Sequence, residues 1–303
     1  MQSSNLRGIG AMLLAVATFA MMDVTMKKLV ESYPSMQVTF LRGAASLPFL
    51  LGATALFGDW RDLVPKRWLL HLVRGLLSVA TLVLFIYAVS QLSLADTYAI
   101  FMSAPLLITA LSVPMLGEKV GWRRWVAVLV GLCGVIVVLR PSGTGLITIG
   151  GLAALASALG YALGAITIRV LIRTDSSAAT IIWTILFLAV AAGLFSIANW
   201  KALQWEQHWP WIVGLGVSGA LGQYFMTHAF RLTSPSIVAP LEYTALMWGM
   251  LFDWLLWMTT PSARMLLGAS IIVSSGLYVI YRERIKPTPV SESRAEMDAR
   301  QMH

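Results

Sequence analysis

The sequence predicts an all-α integral membrane protein with ten transmembrane helices, arranged as two five-helix repeats of inverted topology. Three observations support this prediction. The 303-residue chain is 58% hydrophobic and 12% charged, with a mean hydropathy of +0.76, whereas soluble domains are about half apolar and about a quarter charged. Ten apolar segments have the length of a membrane span. The chain also repeats its own pattern after 141 positions.

The first half of the chain contains five apolar segments separated by turn residues. Tyr33-Pro34, Gly58-Asp59 and Leu116-Gly117-Glu118 interrupt the apolar pattern, as loop residues do. Pro105 lies within the fourth segment, where a missing backbone donor predicts a kink. We predict spans at Gly8–Val30, Pro34–Phe57, Arg67–Ser90, Leu94–Leu116 and Trp122–Leu139.

The second half repeats this organisation. Proline-containing turns follow Arg140, Trp209 and Thr260, and they separate another five apolar segments. No remaining stretch is long enough for a soluble domain. We predict spans at Gly145–Leu171, Ala178–Ala198, Trp209–Leu232, Ser236–Met258 and Arg264–Tyr281.

A shift of 141 positions brings the two halves into register without a gap. It places Gly10 on Gly151, Lys28 on Arg169, Gly75 on Gly216, Ala88 on Ala229 and Arg123 on Arg264. Because each half has an odd number of spans, the second half enters the membrane from the opposite side, as in many secondary transporters. We therefore predict repeats at residues 8–140 and 145–282, followed by a disordered cytoplasmic tail at 283–303.

Basic residues at the span ends predict the orientation. Thirteen lie on the side of the N-terminus and five on the other side, so the positive-inside rule places both termini in the cytoplasm. The net charge of +8 alone would suit a nucleic-acid-binding protein, but these residues are scattered over span ends. We therefore expect the lipid bilayer, and no nucleic acid, as a partner.

Cys133 is the single cysteine, which excludes a disulfide framework and a thiol metal site.

Charged residues inside predicted spans are costly, so each needs a partner or a function. Asp23 in the first span and Arg42 in the second lie at similar depth below the outer end, and Lys27 follows Asp23 by four residues on the same helix face. Two interpretations stay open for Asp23 and Arg42. They form a salt bridge that joins the first two helices, or they engage substrate or gate the outer mouth. Lys27 takes part in this group or extends its ammonium group to the interface.

Glu242 follows Pro240 within the ninth span, where proline loosens the helix. A carboxylate beside such a break is a common element of a proton or cation site. His228 lies at comparable depth in the preceding span, so the two side chains are candidates for sharing a proton. The alternatives are that Glu242 is a structural partner of Arg74 or His228, and that His228 is an interior histidine without a transport role.

Aromatic side chains away from the membrane interface are candidates for lining an apolar cavity with polar tips. Such a lining suits amphipathic organic solutes better than bare ions, although each residue taken singly also fits ordinary packing. Asp253 and Asp96 lie near the outer ends of their spans, where we expect solvated or helix-start roles, with an ion pair as the alternative for Asp253. The candidate cavity residues are Tyr87, Tyr98, Phe101, Tyr161, Tyr224, Tyr243 and Trp248.

No motif predicts an enzyme, a cofactor or a metal site. The sequence has no HExxH motif, no phosphate-binding loop and no evident Ser/His/Asp set, and its four histidines are widely spaced. We therefore expect no enzymatic activity.

A set of short segments in both halves forms one recognisable pattern. The first-half segments are Met22-Asp23-Val-Thr-Met-Lys27, Thr39-Phe-Leu-Arg42, Ala95-Asp96, Pro105, Leu116-Gly117-Glu118, Arg123-Arg124-Trp125 and Gly131-Leu-Cys-Gly134-Val135. The second-half segments are Ala239-Pro240-Leu-Glu242-Tyr243-Thr244, Gly268 and Gly276-Leu-Tyr278. Together they resemble the EamA domain of the drug/metabolite transporter superfamily, and the likeness covers about residues 8–285. The second half departs from the pattern where Leu-Gly-Glu would recur, since Trp257-Met-Thr259 stands there.

The resemblance implies a ten-helix bundle with a central cavity lined mainly by spans 1, 3, 4, 6, 8 and 9, and alternating access in a bacterial inner membrane. Its subgroup resembles carriers for S-adenosylmethionine, riboflavin and amino-acid-type metabolites. We expect a secondary transporter of small amphipathic organic metabolites, amino acids or their derivatives first, with export favoured. Protons are the candidate coupling ion, and the protein is a monomer or a homodimer. The alternatives are an uptake carrier for S-adenosylmethionine, riboflavin or a similar solute, and a membrane scaffold or sensor without flux.

Overall fold

The computed structural model describes residues 2–57, 63–117, 120–139, 148–171, 174–232 and 239–285. The predicted linker at 141–145 and the predicted tail from residue 286 onwards lie outside these ranges. The first three tail residues, 283–285, belong to the last helix.

Helices make up all the regular structure of the described residues, and no strand occurs among them. Two short 3₁₀ segments, Ile197–Asn199 and Ala239–Thr244, accompany eleven α-helices. The α-helices are α1 (Gln2–Val30), α2 (Ser35–Phe57), α3 (Trp68–Gln91), α4 (Leu94–Phe101), α5 (Ala104–Leu116), α6 (Trp122–Leu139), α7 (Ile149–Leu171), α8 (Ser177–Ser196), α9 (Trp205–Leu232), α10 (Ala245–Trp257) and α11 (Ala263–Ile285).

Within the described ranges, eight helical stretches are long and apolar enough to cross a membrane, and α4 and α5 together form one of them. The chain is therefore a multi-pass helical membrane protein. Helix α9 has the length of a span, but its first turns contain Glu206, Gln207 and His208. Helix α10 has 13 residues, which is too short to span a bilayer alone.

Local sequence explains where several helices begin and end. Ser93 and Ser176 accept hydrogen bonds from the backbone N–H groups of Asp96 and Ala179, and thereby cap α4 and α8. Gly117 adopts φ +69° and ends α5, because glycine enters the left-handed region without a steric penalty.

The fourth and ninth predicted spans are both interrupted near their middle. Helix α4 ends at Phe101 and α5 begins at Ala104, with Pro105 in its first turn, where a missing N–H removes no helical hydrogen bond. In the ninth span, the 3₁₀ segment gives way to α10 at Ala245. Helices α5 and α10 therefore begin 141 positions apart, the same spacing at which the sequence repeats.

The most extensive helix contacts join the two halves of the chain. Helix α1 packs on α9, α3 on α7, α2 on α8, α6 on α11, and α4 on α10. Glycines permit the closest approaches. A Cβ placed on Gly268 of α11 would lie 2.8 Å from the backbone oxygen of Gly134 in α6. Backbone contact of this kind leaves no space for a side chain.

Candidate functional site

Helix α7 presents one accessible residue toward the interior of the bundle. Leu152, Ala156 and Leu159 form an exposed stripe on α7 that faces the bilayer. Tyr161 lies two residues beyond Leu159 and so projects from the opposite face. It nevertheless remains 42% accessible. Its ring meets that of Phe101 in α4 edge to face, so Tyr161 lies on the side of α7 that faces the bundle.

A row of four aromatic side chains runs through this interior. Tyr98 of α4 stacks on Phe85 of α3 with ring centroids 6.2 Å apart, and Phe85 meets Phe101 edge to face at 5.4 Å. Phe101 meets Tyr161 at 5.3 Å. We call these four residues the aromatic row. The row ends in the phenolic hydroxyls of Tyr98 and Tyr161, so it is apolar along its length and polar at both ends.

Asp23 lies at the end of the aromatic row that Tyr98 forms. The hydroxyl of Tyr98 donates to Oδ2 of Asp23 at 2.5 Å. Asp23 and Arg42 attract each other electrostatically, but they form no contact ion pair among the described residues. The carboxylate is thus held by a phenol from α4, and the guanidinium of Arg42 has no hydrogen bond with the described residues.

Tyr161, at the other end of the row, lies within electrostatic range of both Arg74 and Glu242. Arg74 donates from Nε to Oγ1 of Thr184 at 2.6 Å and from Nη1 to the carbonyl oxygen of Gly164 at 3.1 Å. Glu242 forms neither a hydrogen bond nor an ion pair with any residue that the structure describes. It is therefore a partly buried carboxylate whose hydrogen-bonding capacity is unused within those ranges.

The remaining aromatic candidates lie away from the row. Tyr243 is buried and directs its hydroxyl at Gly276 of α11, where none of the described residues forms a hydrogen bond with it. Trp248 stacks on Phe252. Tyr87 is 36% exposed near the outer end of α3.

The structure does not bring His228 to Glu242. His228 is exposed on α9 and stacks on Tyr224 with ring centroids 5.9 Å apart. Tyr224 continues a stripe of accessible residues that includes Val213, Val217 and Leu221, on the face of α9 turned away from α1. An apolar stripe of this kind faces lipid.

Lys27 pairs with Asp253 of α10 and not with Asp23. Its Nζ lies 3.1 Å from Oδ1 of Asp253, and Asp253 also accepts the backbone N–H groups of Leu94 and Ala95 at 3.0 and 2.7 Å. Asp253 is only 2% exposed, so the solvated role expected for it is wrong, whereas a helix-start role holds for α4. Spacing could not show this pair, because its members lie 226 positions apart.

Two histidines bind loop residues of the other half of the chain. Near the start of α3, Nε2 of His71 lies 3.3 Å from Oδ1 of Asp175, which also accepts the backbone N–H of Lys66. Near the start of α9, the hydroxyl of Tyr33 lies 2.8 Å from Nδ1 of His208 and accepts the N–H of Gln204. Wide sequence spacing concealed both contacts.

Asp175 lies outside the membrane-spanning segments, in the turn before α8. Burial alone would raise the pKa of its carboxyl, but hydrogen bonds from Thr174, Lys66 and His71 outweigh that effect. The pKa of Asp175 is therefore lower than its ordinary value. No cluster of three or more His, Cys, Asp or Glu residues suited to a metal ion occurs in the described part of the chain.

The sequence profile of the EamA-like transporter family matches this chain twice, at residues 6–140 and at residues 148–282. A crystal structure of a protein with 20% sequence identity superposes with a TM-score of 0.63, covering 94% of this chain and 99% of that one. That likeness concerns the fold alone.

Three bacterial transporters are similar in sequence. The riboflavin transporter of Vibrio cholerae is 27% identical over 84% of this chain and 85% of its own. The pseudopaline exporter CntI of Pseudomonas aeruginosa is 27% identical over 88% and 93%. The S-adenosylmethionine uptake transporter of Rickettsia bellii is 26% identical over 91% and 94%.

Proposed function

The chain belongs to the EamA-like transporter family, and from that premise we propose that it moves small amphipathic organic metabolites across the membrane by alternating access. The family assigns it to the transporters and not to the enzymes. Amino acids and their derivatives are our first choice of solute, and export is our first choice of direction.

Three observations support two inverted five-helix repeats at residues 8–140 and 145–282. The family profile matches the chain twice. Helices α5 and α10 begin 141 positions apart. A shift of 141 positions maps α1 on α7 and α3 on α9. The packing of α1 on α9 therefore corresponds to the packing of α7 on α3, and both contacts are present. Ten spans of this arrangement would suit a secondary transporter.

The observation that supports the transport site best is the aromatic row with charged groups at both ends. Its members come from α3, α4 and α7, with Asp23 of α1 at one end and Glu242 beside the break in the ninth span at the other. Interrupted helices in corresponding positions of two repeats indicate a binding site near the bilayer midplane. Charges placed there are expensive unless they serve a solute or an ion.

The chemistry of this site favours solutes that combine charge with an apolar body. Arg42 offers donors for a carboxylate and Glu242 an acceptor for an ammonium group or a proton, and none of the residues that the structure describes occupies them. The aromatic row offers ring faces and edges between them. We propose Glu242 as the coupling residue and protons as the coupling ion.

The named relatives include both an exporter and an uptake transporter. The alternative to export of amino-acid-type solutes is therefore uptake of S-adenosylmethionine, riboflavin or a similar compound. A scaffold or sensor without flux is the alternative from another class, and unused charges inside the bundle argue against it. We place the protein in the bacterial inner membrane as a monomer or homodimer, with both termini cytoplasmic, on the distribution of basic residues.

Flux in proteoliposomes tests this proposal. Purified protein is reconstituted and offered amino acids, S-adenosylmethionine and riboflavin as separate pools, with and without a pH gradient. Gradient-stimulated movement of one pool is the expected result. Movement that ignores the gradient would remove proton coupling, and folded protein that moves no pool would favour the scaffold.

A further inference from the structure

Beneath the outer surface, one carboxylate holds three helices together. Asp253 of α10 accepts a hydrogen bond from Lys27 of α1 and two from the first backbone N–H groups of α4. Lys27 also donates to the carbonyl oxygen of Leu92 at 3.2 Å. We call Lys27, Asp253, Leu94 and Ala95 the outer cluster. Its donors belong to the first half of the chain and its acceptor carboxylate to the second.

Lys27 of the outer cluster lines a cavity, which we call the outer vestibule. This outer vestibule has a volume of about 680 Å³, and its walls include Glu31, Lys201 and Thr259 from the loops at the outer end. The ring of Trp257 covers the ammonium group of Lys27 at 4.5 Å. A solute in the vestibule therefore meets Lys27 before it meets anything deeper.

Immediately below the outer cluster, α4 and α10 touch without a gap. A Cβ on Gly249 would lie 2.6 Å from the Tyr98 ring and 3.4 Å from Cα of Ala95. Tyr98, 4% exposed, binds Asp23, and Asp23 precedes Lys27 by one helical turn. The seal between vestibule and aromatic row is thus about one turn thick.

We infer that Asp253 is the residue that holds the outer end of the transport path closed. This inference rests on the proposed alternating-access function. The carboxylate neutralises Lys27 and supplies acceptors to the two N–H groups that α4 cannot satisfy within its own helix. Opening toward the vestibule separates α10 from α4 and α1, and every contact of Asp253 must then break. Asp253 acts as a positioning residue and touches no solute.

Accessibility of an interior cysteine tests the inference without any solute. Cys133, the only cysteine, is replaced by alanine, and Tyr161→Cys provides the reporter on the interior face. A membrane-impermeant maleimide is applied to intact cells and, separately, to inside-out vesicles. Asp253→Asn keeps the size of the side chain but removes its charge and one acceptor oxygen. We expect it to raise the labelling rate from the outside about tenfold, which corresponds to about 1.4 kcal/mol in the closed-to-open equilibrium.

Two further variants make the result specific. Lys27→Met keeps the two backbone hydrogen bonds of Asp253 and should raise the outside rate less than Asp253→Asn does. Glu31→Gln removes an acidic charge from the same vestibule. The half-exposed Glu31 pairs with Lys28 and accepts a hydrogen bond from Nε1 of Trp257 at 3.4 Å, and glutamine keeps an oxygen that can accept this bond, so the variant should leave the rate unchanged. Outside labelling of Asp253→Asn at the reference rate, with normal labelling from the inside, would overturn the inference.

Exchanging Lys27 and Asp253 distinguishes a role of Asp253 in capping α4 from a role in the ion pair with Lys27 alone. Combining Lys27→Asp with Asp253→Lys restores the pair but places an ammonium group against the N–H groups of α4. We expect fast outside labelling to persist in this double variant, and a return to the reference rate would show that α4 takes no part. Because labelling needs no solute, absence of flux would contradict the proposed function and leave this result standing.

Discussion

Asp23 and Glu242 are both carboxylates inside the bundle, yet their surroundings differ. Asp23 has the hydroxyl of Tyr98 at 2.5 Å and the charge of Arg42 nearby. Glu242 has only electrostatic contact with Tyr161 and Tyr243 among the described residues. A satisfied carboxylate holds its position, whereas an unsatisfied one is available to a cation or a proton. The difference separates a role in shaping the site from a role in coupling.

Replacing Glu242 tests that separation. Glu242→Gln keeps the size of the side chain and removes its ability to exchange a proton. We expect the variant to fold normally and to lose the part of solute flux that a pH gradient drives. Flux in proteoliposomes with and without the gradient measures this, with Glu31→Gln as a control outside the site. A Glu242→Gln protein with unchanged pH dependence would refute the coupling role.

The contribution of the hydrogen bond between Tyr98 and Asp23 to stability can be measured. Tyr98→Phe keeps the ring that packs on Gly249 but leaves the carboxylate of Asp23 without its donor. We expect a loss of about 1–3 kcal/mol in stability, seen as a lower thermal midpoint in detergent. Tyr281→Phe changes an exposed hydroxyl and serves as the control. Equal midpoints for the two variants would contradict this account.

The close helix crossings between the two halves depend on glycines, which have no side chain. Gly268 of α11 faces backbone atoms of α6, which cannot move aside as a flexible side chain can. We expect Gly268→Ala to destabilise the protein by about 1–3 kcal/mol through overpacking. Gly52→Ala in α2 meets no atom within 4 Å and should be neutral or stabilising by up to about 1 kcal/mol. Thermal midpoints of the two variants in detergent decide between packing and helix propensity.

The turn before α8 should make stability depend on acidity. The pKa of Asp175 is lower when folded than its ordinary value, so its contribution is present above about pH 4 and is lost as the pH falls further. Asp175→Asn should reduce the free energy of unfolding at pH 7 by about 1–3 kcal/mol, seen as a lower thermal midpoint. Below about pH 4 the difference from the parent protein should shrink. A difference that stays constant down to pH 3 would exclude this explanation.

At the scale of the whole molecule, each half buries its surface in the other. Because α1, α2, α3 and α6 all pack on helices of the second half, we expect residues 1–142 and 143–303 to fail to fold separately. Co-expressed, the two pieces should co-purify and elute from size-exclusion chromatography at the position of the intact chain. A monodisperse single half would show that the contacts between halves are dispensable.

The positions of the spans were predictable because a run of apolar residues must leave water, wherever its partners lie. The ends of helices were less so. Helix α9 begins at Trp205 instead of Trp209, since helical hydrogen bonding continues past the apolar segment. The interruption after Phe101 followed from Pro105. The partner of Lys27 was not predictable, because ion pairing across 226 positions depends on packing that spacing does not encode.

The outer cluster makes the two ends of the molecule chemically unequal. The residues 141 positions away from Lys27 and Asp253 are Ile168 and Ser112, which have no charge. If the two repeats were identical, the states open to either side of the membrane would have equal free energies. The ion pair between Lys27 and Asp253 stabilises the closure of one side only and removes that equality. On the proposed alternating-access function, we expect only a minority of molecules to accept solute from outside, and the half-saturation concentration measured there to rise by the inverse of that fraction. A single binding site would thus show different half-saturation concentrations when measured from the two sides of the membrane.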